Sequence, residues 1–327
     1  MEKTKCNILV WGLVSTGSSA LIDVLREYDN IHIIPGEFDD FRAPGRIADQ
    51  LVFPKSEKFN RISDVKGNKS KYPVIFGLLK RILRGEINSV NKLIDYNKPI
   101  QIRSKQLILL KQLNEKLISA VSYDEKLDLV SNWIKELGQF KNEQKEFVLF
   151  NQPLTPSIET SIWKPVFSPF KFICVYRDPK DQLAEIIRKD TLYAPYGAPY
   201  MNHGGLVLES IYGRSRKSAV TFHVEAIKKR MEWIDKLKTE LSKDELLLID
   251  FEGLIKNYDN YRKIIENFIG DLNPNPHKYM KYFNPSNAEK NIGIFNSILK
   301  DEDLMELKAL EDWYNRNKNS HPLKIKA

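Results

Sequence analysis

Cysteine is nearly missing from this 327-residue chain, with Cys6 and Cys174 the two present. Histidine is scarce as well, five residues scattered singly, so no Cys/His cluster of metal-ligand spacing exists. Neither a disulfide scaffold nor a metal site is therefore expected, and both thiols, set in apolar strand-like runs, read as buried structural groups. Long apolar runs are also lacking. None approaches the ~20 residues of a transmembrane span, and the opening MEKTKCNILVW carries no cleavable leader pattern, so the expected location is cytoplasmic. Internal repeats and low-complexity tracts are absent. So are recognition-helix, finger and RNP patterns. The net charge of +8, from 51 Lys and Arg against 43 Asp and Glu, favours anionic ligands; the cations are dispersed among acids, and nucleic acid is not an expected partner.

What is present is alternation. Branched apolar runs predict strands at about 6–11, 31–34, 146–151, 170–176 and 245–250, with helical spacing at 18–28, 179–189, 217–241 and 254–270. Strands alternating with helices predict an α/β fold, a three-layer parallel sheet in one domain spanning 1–327. Residues 42–140 differ. Segments such as FGLLKRIL and KQLILLKQLNEKLISAV have helical periodicity and no strand pattern, so this region reads as a helical insertion between the second and third strands. Insertions of this kind shape the site above the strand C-termini, here the acceptor side. The Pro/Gly/Tyr-rich stretch 193–210 reads as a long loop able to act as a lid.

Three segments carry chemistry. In VWGLVSTGSSALIDVLREYDN a buried strand turns into a helix through Gly12 and Gly17, which permits close backbone approach and presents helix N-terminal N–H groups to an oxyanion. A Walker loop would require Gly-Lys-Ser/Thr at its end. Here Leu13-Val14-Ser15-Thr16 leads to Gly17-Ser18-Ser19 with no lysine, which argues against a nucleoside-triphosphatase or kinase; a tight capped connection is the plain structural alternative. In KFICVYRDPKDQLAEIIRK, Arg177 stands at a strand C-terminus, where a guanidinium can grip phosphate bidentately. Its structural alternative is an ion pair with Asp178 or Asp181. In YFNPSNAEKNIGIFNSIL, the segment Lys290-Asn291-Ile292-Gly293, with Ser286, can close over an anion.

In this order the three segments resemble the sulfotransferases that use 3′-phosphoadenosine 5′-phosphosulfate (PAPS). In that family a P-[KR]-S-G-T-T loop holds the 5′-phosphosulfate, R-[ND]-P-x-D holds the 3′-phosphate, and a C-terminal basic loop covers the nucleotide. The resemblance implies a P-loop-NTPase-like sulfotransferase fold with PAPS as donor, 3′-phosphoadenosine 5′-phosphate (PAP) as product, and no metal. It implies that Ser15, Thr16, Gly17, Ser18, Ser19, Arg177, Lys290, Asn291 and Gly293 bind the nucleotide. Three positions depart from the pattern. Ser15 replaces the usual Lys or Arg; Glu185 replaces a phosphate-binding serine and must point away or be compensated by Arg188, Arg214 or Arg216; Ala20 replaces a tryptophan that stacks adenine.

The segment IPGEFDDFR places Glu37 after the second strand. Glycan-modifying and tyrosylprotein sulfotransferases carry their catalytic glutamate at this distance from the cradle, so the resemblance makes Glu37 the general base. Arg42 could hold Glu37 or an anionic substrate. Asn151 and Gln152, at the end of the third strand, are further substrate candidates, and a solvated acidic loop or polar strand caps are the plain alternatives. The expected acceptor is a glycan hydroxyl, with a sterol or other lipid alcohol as the second choice, and a non-catalytic PAPS- or PAP-binding protein is the reading from another class.

Overall fold

The computed structural model describes residues 5–12, 14–43, 46–52, 90–138, 145–197 and 210–319, with the backbone alone at 90–103, 196–197 and 319. Five strands, β1 (Cys6–Trp11), β2 (Ile31–Glu37), β3 (Phe147–Asn151), β4 (Phe170–Tyr176) and β5 (Leu246–Asp250), form one sheet in the order β2-β3-β1-β4-β5. The pairs β2–β3 and β4–β5 are parallel. The expected parallel α/β sheet is therefore present, with every predicted strand in place. By contacts the chain divides into two compact units, residues 1–9 with 29–171 and residues 10–28 with 172–327.

In the first unit, β2 is longer than the predicted 31–34. It continues through Pro35 and Gly36 to Glu37, and its register against β3 slips between Ile33↔Leu149 and Glu37↔Asn151. An edge strand tolerates proline because its outer N–H has no ladder partner, and Gly36 at φ +78° supplies the left-handed bulge residue. The insertion is helical where it is described: α2 (Asp39–Arg42), α3 (Ile47–Val52), α4 (Val90–Ser119) and α5 (Tyr123–Gly138). The predicted FGLLKRIL helix lies outside the described residues. A helix the sequence reading lacked, α6 (Thr160–Phe167), carries Pro165 inside it, which obscures its periodicity.

Aromatic rings fill the core of this unit. Phe38 stacks on Trp133 at 5.4 Å and meets Phe150 at 4.8 Å, while Phe167 meets Phe41 at 5.1 Å and Phe150 at 5.4 Å. These contacts fix the chain immediately after Glu37 against α5 and β3.

In the second unit, α1 (Ser18–Leu25) buries Leu21, Ile22, Val24 and Leu25. The later helices are α7 (Pro179–Arg188), the short α8 (Ala194–Gly197), α9 (Arg216–Glu240), α10 (Phe251–Lys256), α11 (Tyr258–Ile269), α12 (Pro285–Ala288), α13 (Phe295–Ile298) and α14 (Asp301–Asn319). The predicted helix at 254–270 is two helices that change direction at Asn257, whose φ of −131° and ψ of 49° are not helical. Most of the proposed lid, 198–209, lies outside the described residues.

Helix α14 is a further element that the sequence reading omitted. Its face of Asp303, Leu307, Leu310, Trp313, Tyr314 and Asn317 is buried, and Arg216 donates to both oxygens of Asp303 at 2.6 and 2.7 Å. Cys174 is buried and its thiol pKa is raised by burial; Cys6 is part-exposed, its thiol pushed up to about 11 chiefly by burial. Both are free.

Trp11, 1% exposed, packs edge-on to Trp233 at 4.5 Å. Trp11→Ala should cost about 3–5 kcal/mol, the usual range for deleting a buried aromatic. A urea midpoint shifted by less than the equivalent of about 1 kcal/mol would contradict this packing.

Candidate functional site

The cradle is strained in a specific way. Val14 and Ser15 hold φ values of 55° and 60°, and Gly17 follows at 91°. Non-glycine residues in this region cost about 1–3 kcal/mol each and persist only when the surroundings over-determine them. Those surroundings are side chains from beyond β4. Gln182 Nε2 donates to Val14 O at 2.8 Å, and Arg177 Nη1 donates to Ser15 O at 3.0 Å. Inside the loop, Thr16 Oγ1 and Ser18 Oγ donate to Gly12 O at 2.5 and 3.1 Å.

The two glycines are needed for space as well as for conformation. A Cβ on Gly12 would lie 2.7 Å from Val175 O, and one on Gly17 would lie 2.1 Å from the Phe251 ring. As N-cap of α1, Gly17 offers no capping side chain, and Ala20 N donates to Gly17 O at 3.0 Å. Thr16 and Ser18 are buried, Ser15 is half-buried and Ser19 is exposed.

Arg177 stands at the end of β4 as expected, and it is 3% exposed. Besides Ser15 O it donates to Asn291 O, and its guanidinium lies over the Phe251 ring at 5.1 Å and 3.6 Å from Glu252 Oε1. The three sequence segments thus meet at one guanidinium. Asp178 caps α7 by accepting from Lys180 N at 2.9 Å, and it forms no ion pair with Arg177. Asp181 has a different duty: its oxygens accept from Gly293 N at 2.7 Å and Phe295 N at 3.1 Å, fastening the C-terminal loop to α7. Lys290 is exposed and Asn291 and Gly293 are half-buried.

Glu185 is compensated by Arg188, one of the three arginines named above. Its carboxylate lies 2.6 Å from Arg188 Nη2 and 3.0 Å from Lys189 Nζ. Burial pushes this carboxyl up, but the hydrogen bonds and charges of Arg188 and Lys189 outweigh it and hold the group below the usual range. Arg188 also donates to Asn291 Oδ1 at 2.9 Å, so the same cation that neutralises Glu185 braces the covering loop.

Glu252 went unnoticed in the sequence, where IDFEGL reads as a strand end and helix start. It is 3% exposed, and burial followed by the neighbouring Asp250 charge pushes its carboxyl up to about 8. Asp181 and Glu252 share one sequence signal: each is an acid within six residues of a strand C-terminus in the second unit.

The other candidates belong to the first unit. Glu37 ends β2 opposite Asn151, and Phe38 N donates to Asn151 O at 2.7 Å. Arg42 Nη2 donates to Glu37 Oε2, and Arg42 Nε donates to Asp39 Oδ1 at 3.0 Å. Arg42 is largely buried whereas the Glu37 side chain is 54% exposed, so the pair presents its carboxylate outward. Asn151 Oδ1 and Arg42 Nη1 are buried without a hydrogen-bond partner. Gln152 follows at φ 53°, buried. Among the described residues no group of three or more His, Cys, Asp or Glu could hold a metal ion, and no helix is long and apolar enough to cross a membrane.

No protein-family model matches the chain, and no curated protein does. Among solved structures, the sulfotransferase domain from the Synechococcus PCC 7002 olefin synthase is 13% identical, with a TM-score of 0.45, covering 93% of this chain and 94% of that one. The sulfotransferase domain from the curacin biosynthetic pathway is 14% identical, with a TM-score of 0.46, covering 95% and 98%. A likeness at this level assigns nothing further, so function is read from the chain's own residues.

Asp181→Ala should free the 291–297 loop. Losing hydrogen bonds to a charged acceptor costs about 1.5–3 kcal/mol, so hydrogen exchange in that loop should quicken at least about tenfold while α9 keeps its protection. Unchanged exchange at 291–297 would remove Asp181 from this role.

Proposed function

We propose that this chain is a PAPS-dependent sulfotransferase. The supporting observation is the convergence of Ser15, Arg177 and Asn291, from three distant segments, with Asp181 holding the loop that contains Gly293. In the PAPS enzymes that these segments resemble, the corresponding residues handle the two phosphate ends of one nucleotide. In this reading the N-terminus of α1 receives the 5′-phosphosulfate, and Arg177 exchanges its Asn291 carbonyl partner for the 3′-phosphate while keeping Ser15 O. Arg177, already bonded to Ser15 O, also brings a cation to the position where the family's Lys or Arg is replaced by Ser15.

Glu37 is the general base. It takes the acceptor hydroxyl's proton as the new O–S bond forms and the bridging S–O bond to the 5′-phosphate breaks, with PAP leaving. The exposed carboxylate and its buried Arg42 anchor suit that task, because the cation fixes the orientation while one face stays open. Positioning and electrostatics supply the remaining acceleration, without a metal. The binding-protein reading keeps one observation in its favour, since Glu37 is already engaged by Arg42.

For the acceptor, the resemblance favours a glycan hydroxyl, with a lipid or sterol alcohol as the second choice. A cavity of about 360 Å³ between α4 and α5 has a mostly polar wall, with Gln112, Lys116, Asn132, Lys135 and Glu136 beside Leu109, Leu113, Leu129 and Trp133. Trp133 stacks on Phe38, the residue after Glu37. Transfer of labelled sulfate from PAPS to a panel of glycans, sterols and phenols separates these acceptors.

Three single variants and one double variant test the chemistry. Arg177→Ala should weaken PAP binding by about 2–4 kcal/mol in calorimetry, as when one member of a buried charge pair is removed; undiminished affinity would refute the phosphate role. Glu37→Gln should lower turnover by about 10²–10⁴ with PAP affinity retained. If Glu37 only positions Arg42, the losses in Glu37→Gln and Arg42→Ala will be strongly non-additive in the double variant. Near-normal turnover in Glu37→Gln would leave the binding-protein reading ahead.

A further inference from the structure

Arg177, Asp250 and Glu252 are 3%, 2% and 3% exposed, so three ionisable groups share one dry pocket. If both acids were ionised, the pocket would hold a net negative charge shielded from bulk solvent, which is costly. Hydrogen counting points the same way. Tyr314 Oη lies 3.0 Å from Asp250 Oδ1 and 2.9 Å from Glu252 Oε2, yet a phenol has one hydrogen to give. A second hydrogen is needed among these oxygens. Asp250 Oδ2 already accepts from Gly253 N at 2.9 Å, as an N-cap oxygen does, so geometry puts the second hydrogen on Glu252.

Glu252 has weaker claims on charge: the Asp178 N–H reaches both its oxygens only at 3.4 Å, and Arg177 Nε stands 3.6 Å away without a hydrogen bond. The other groups acting on this pair are Tyr176 from β4 and Tyr261 from α11, two phenols whose own pKa values are raised, first by burial and then by the charges of Asp250 and Glu252. Arg177 is the cation that faces Glu252.

We propose that Glu252 is a positioning residue held as the neutral acid, its proton shared with Tyr314 and Asp250, and that this proton leaves the Arg177 charge available to an anion beside the cradle. The inference deepens the nucleotide reading and rests on it for the identity of that anion. Its direction is fixed by linkage. Ionising Glu252 places a negative charge against Arg177, so anion affinity falls as pH rises through the Glu252 pKa, and bound anion raises that pKa in return. Because burial and the Asp250 charge raise this carboxyl well above the ordinary range, nucleotide affinity is highest while the acid is neutral and declines as it ionises at alkaline pH.

Two measurements on the full chain test this. Infrared difference spectra between pH 7 and pH 9.5 should contain the carbonyl stretch of a protonated carboxylic acid, and Glu252→Gln should lack it. That readout requires no nucleotide. In calorimetry with PAP, the wild-type dissociation constant should rise by up to about tenfold from pH 7 to pH 9, the change expected for one pH unit beyond the pKa, while in Glu252→Gln the rise shrinks to less than about twofold.

A missing acid band in the wild type, or a pH slope retained in Glu252→Gln, overturns the proposal. An acid band that is present and lost in Glu252→Gln supports the neutral acid even if PAP fails to bind at every pH. That second result would overturn the nucleotide reading instead. If Glu252→Gln does not fold, the wild-type band and its loss as pH passes about 8 decide alone.

Discussion

The second unit is organised around one buried positive charge. A guanidinium as enclosed as that of Arg177 must be met by acceptors, since an unpaired buried ion costs several kcal/mol. Its acceptors are carbonyls of the cradle and of the C-terminal loop, while Glu252 at the start of α10 stands 3.6 Å from it. The left-handed conformations of Val14 and Ser15 are understandable in that light: with Gln182, Arg177 draws the carbonyls of this turn toward β4 and α7. The strain is local and its compensation is nearby. Such a loop is preorganised, and its shape does not wait for the ligand.

Around this charge the supporting acids divide their tasks. Asp181 ties the backbone of the C-terminal loop, Asp178 caps α7, and Glu252 with Asp250 forms the floor beneath Arg177. Helix α14 contributes the phenol that joins the last two, and its own seat is fixed by Arg216 on Asp303 and by Trp313 Nε1 on Asp235. A change in α14 can therefore reach Arg177 through a single hydroxyl. In the first unit the chemistry is arranged the other way round, with the cation of Arg42 buried and the carboxylate of Glu37 outward.

The strands were legible because parallel-sheet strands, buried on both faces, read as continuous branched runs. The three site segments were legible because each begins at a strand end, where glycine, proline and charged residues interrupt an apolar pattern. What escaped was of two kinds. Helix α6 was hidden by Pro165 inside it, and α14 escaped although it has acids in its first turn, bases in its last and a buried face at helical spacing. The role of Glu252 was not legible, because a glutamate at a helix start is ordinarily solvated, and only the tertiary approach of Tyr314 and Arg177 makes it otherwise. Pro35-Gly36 read as a turn, and the edge position of β2 allowed a bulge.

The most direct measurement is a crystal structure of the chain with PAP. The 3′-phosphate should lie within hydrogen-bonding distance of Arg177, with the Asn291 carbonyl displaced, and the 5′-phosphate should sit on the first-turn N–H groups of α1 at Ser18 and Ser19. A nucleotide bound elsewhere, with Arg177 still closed on Ser15 and Asn291, would contradict the central claim that this buried guanidinium is the anchor of a nucleotide site.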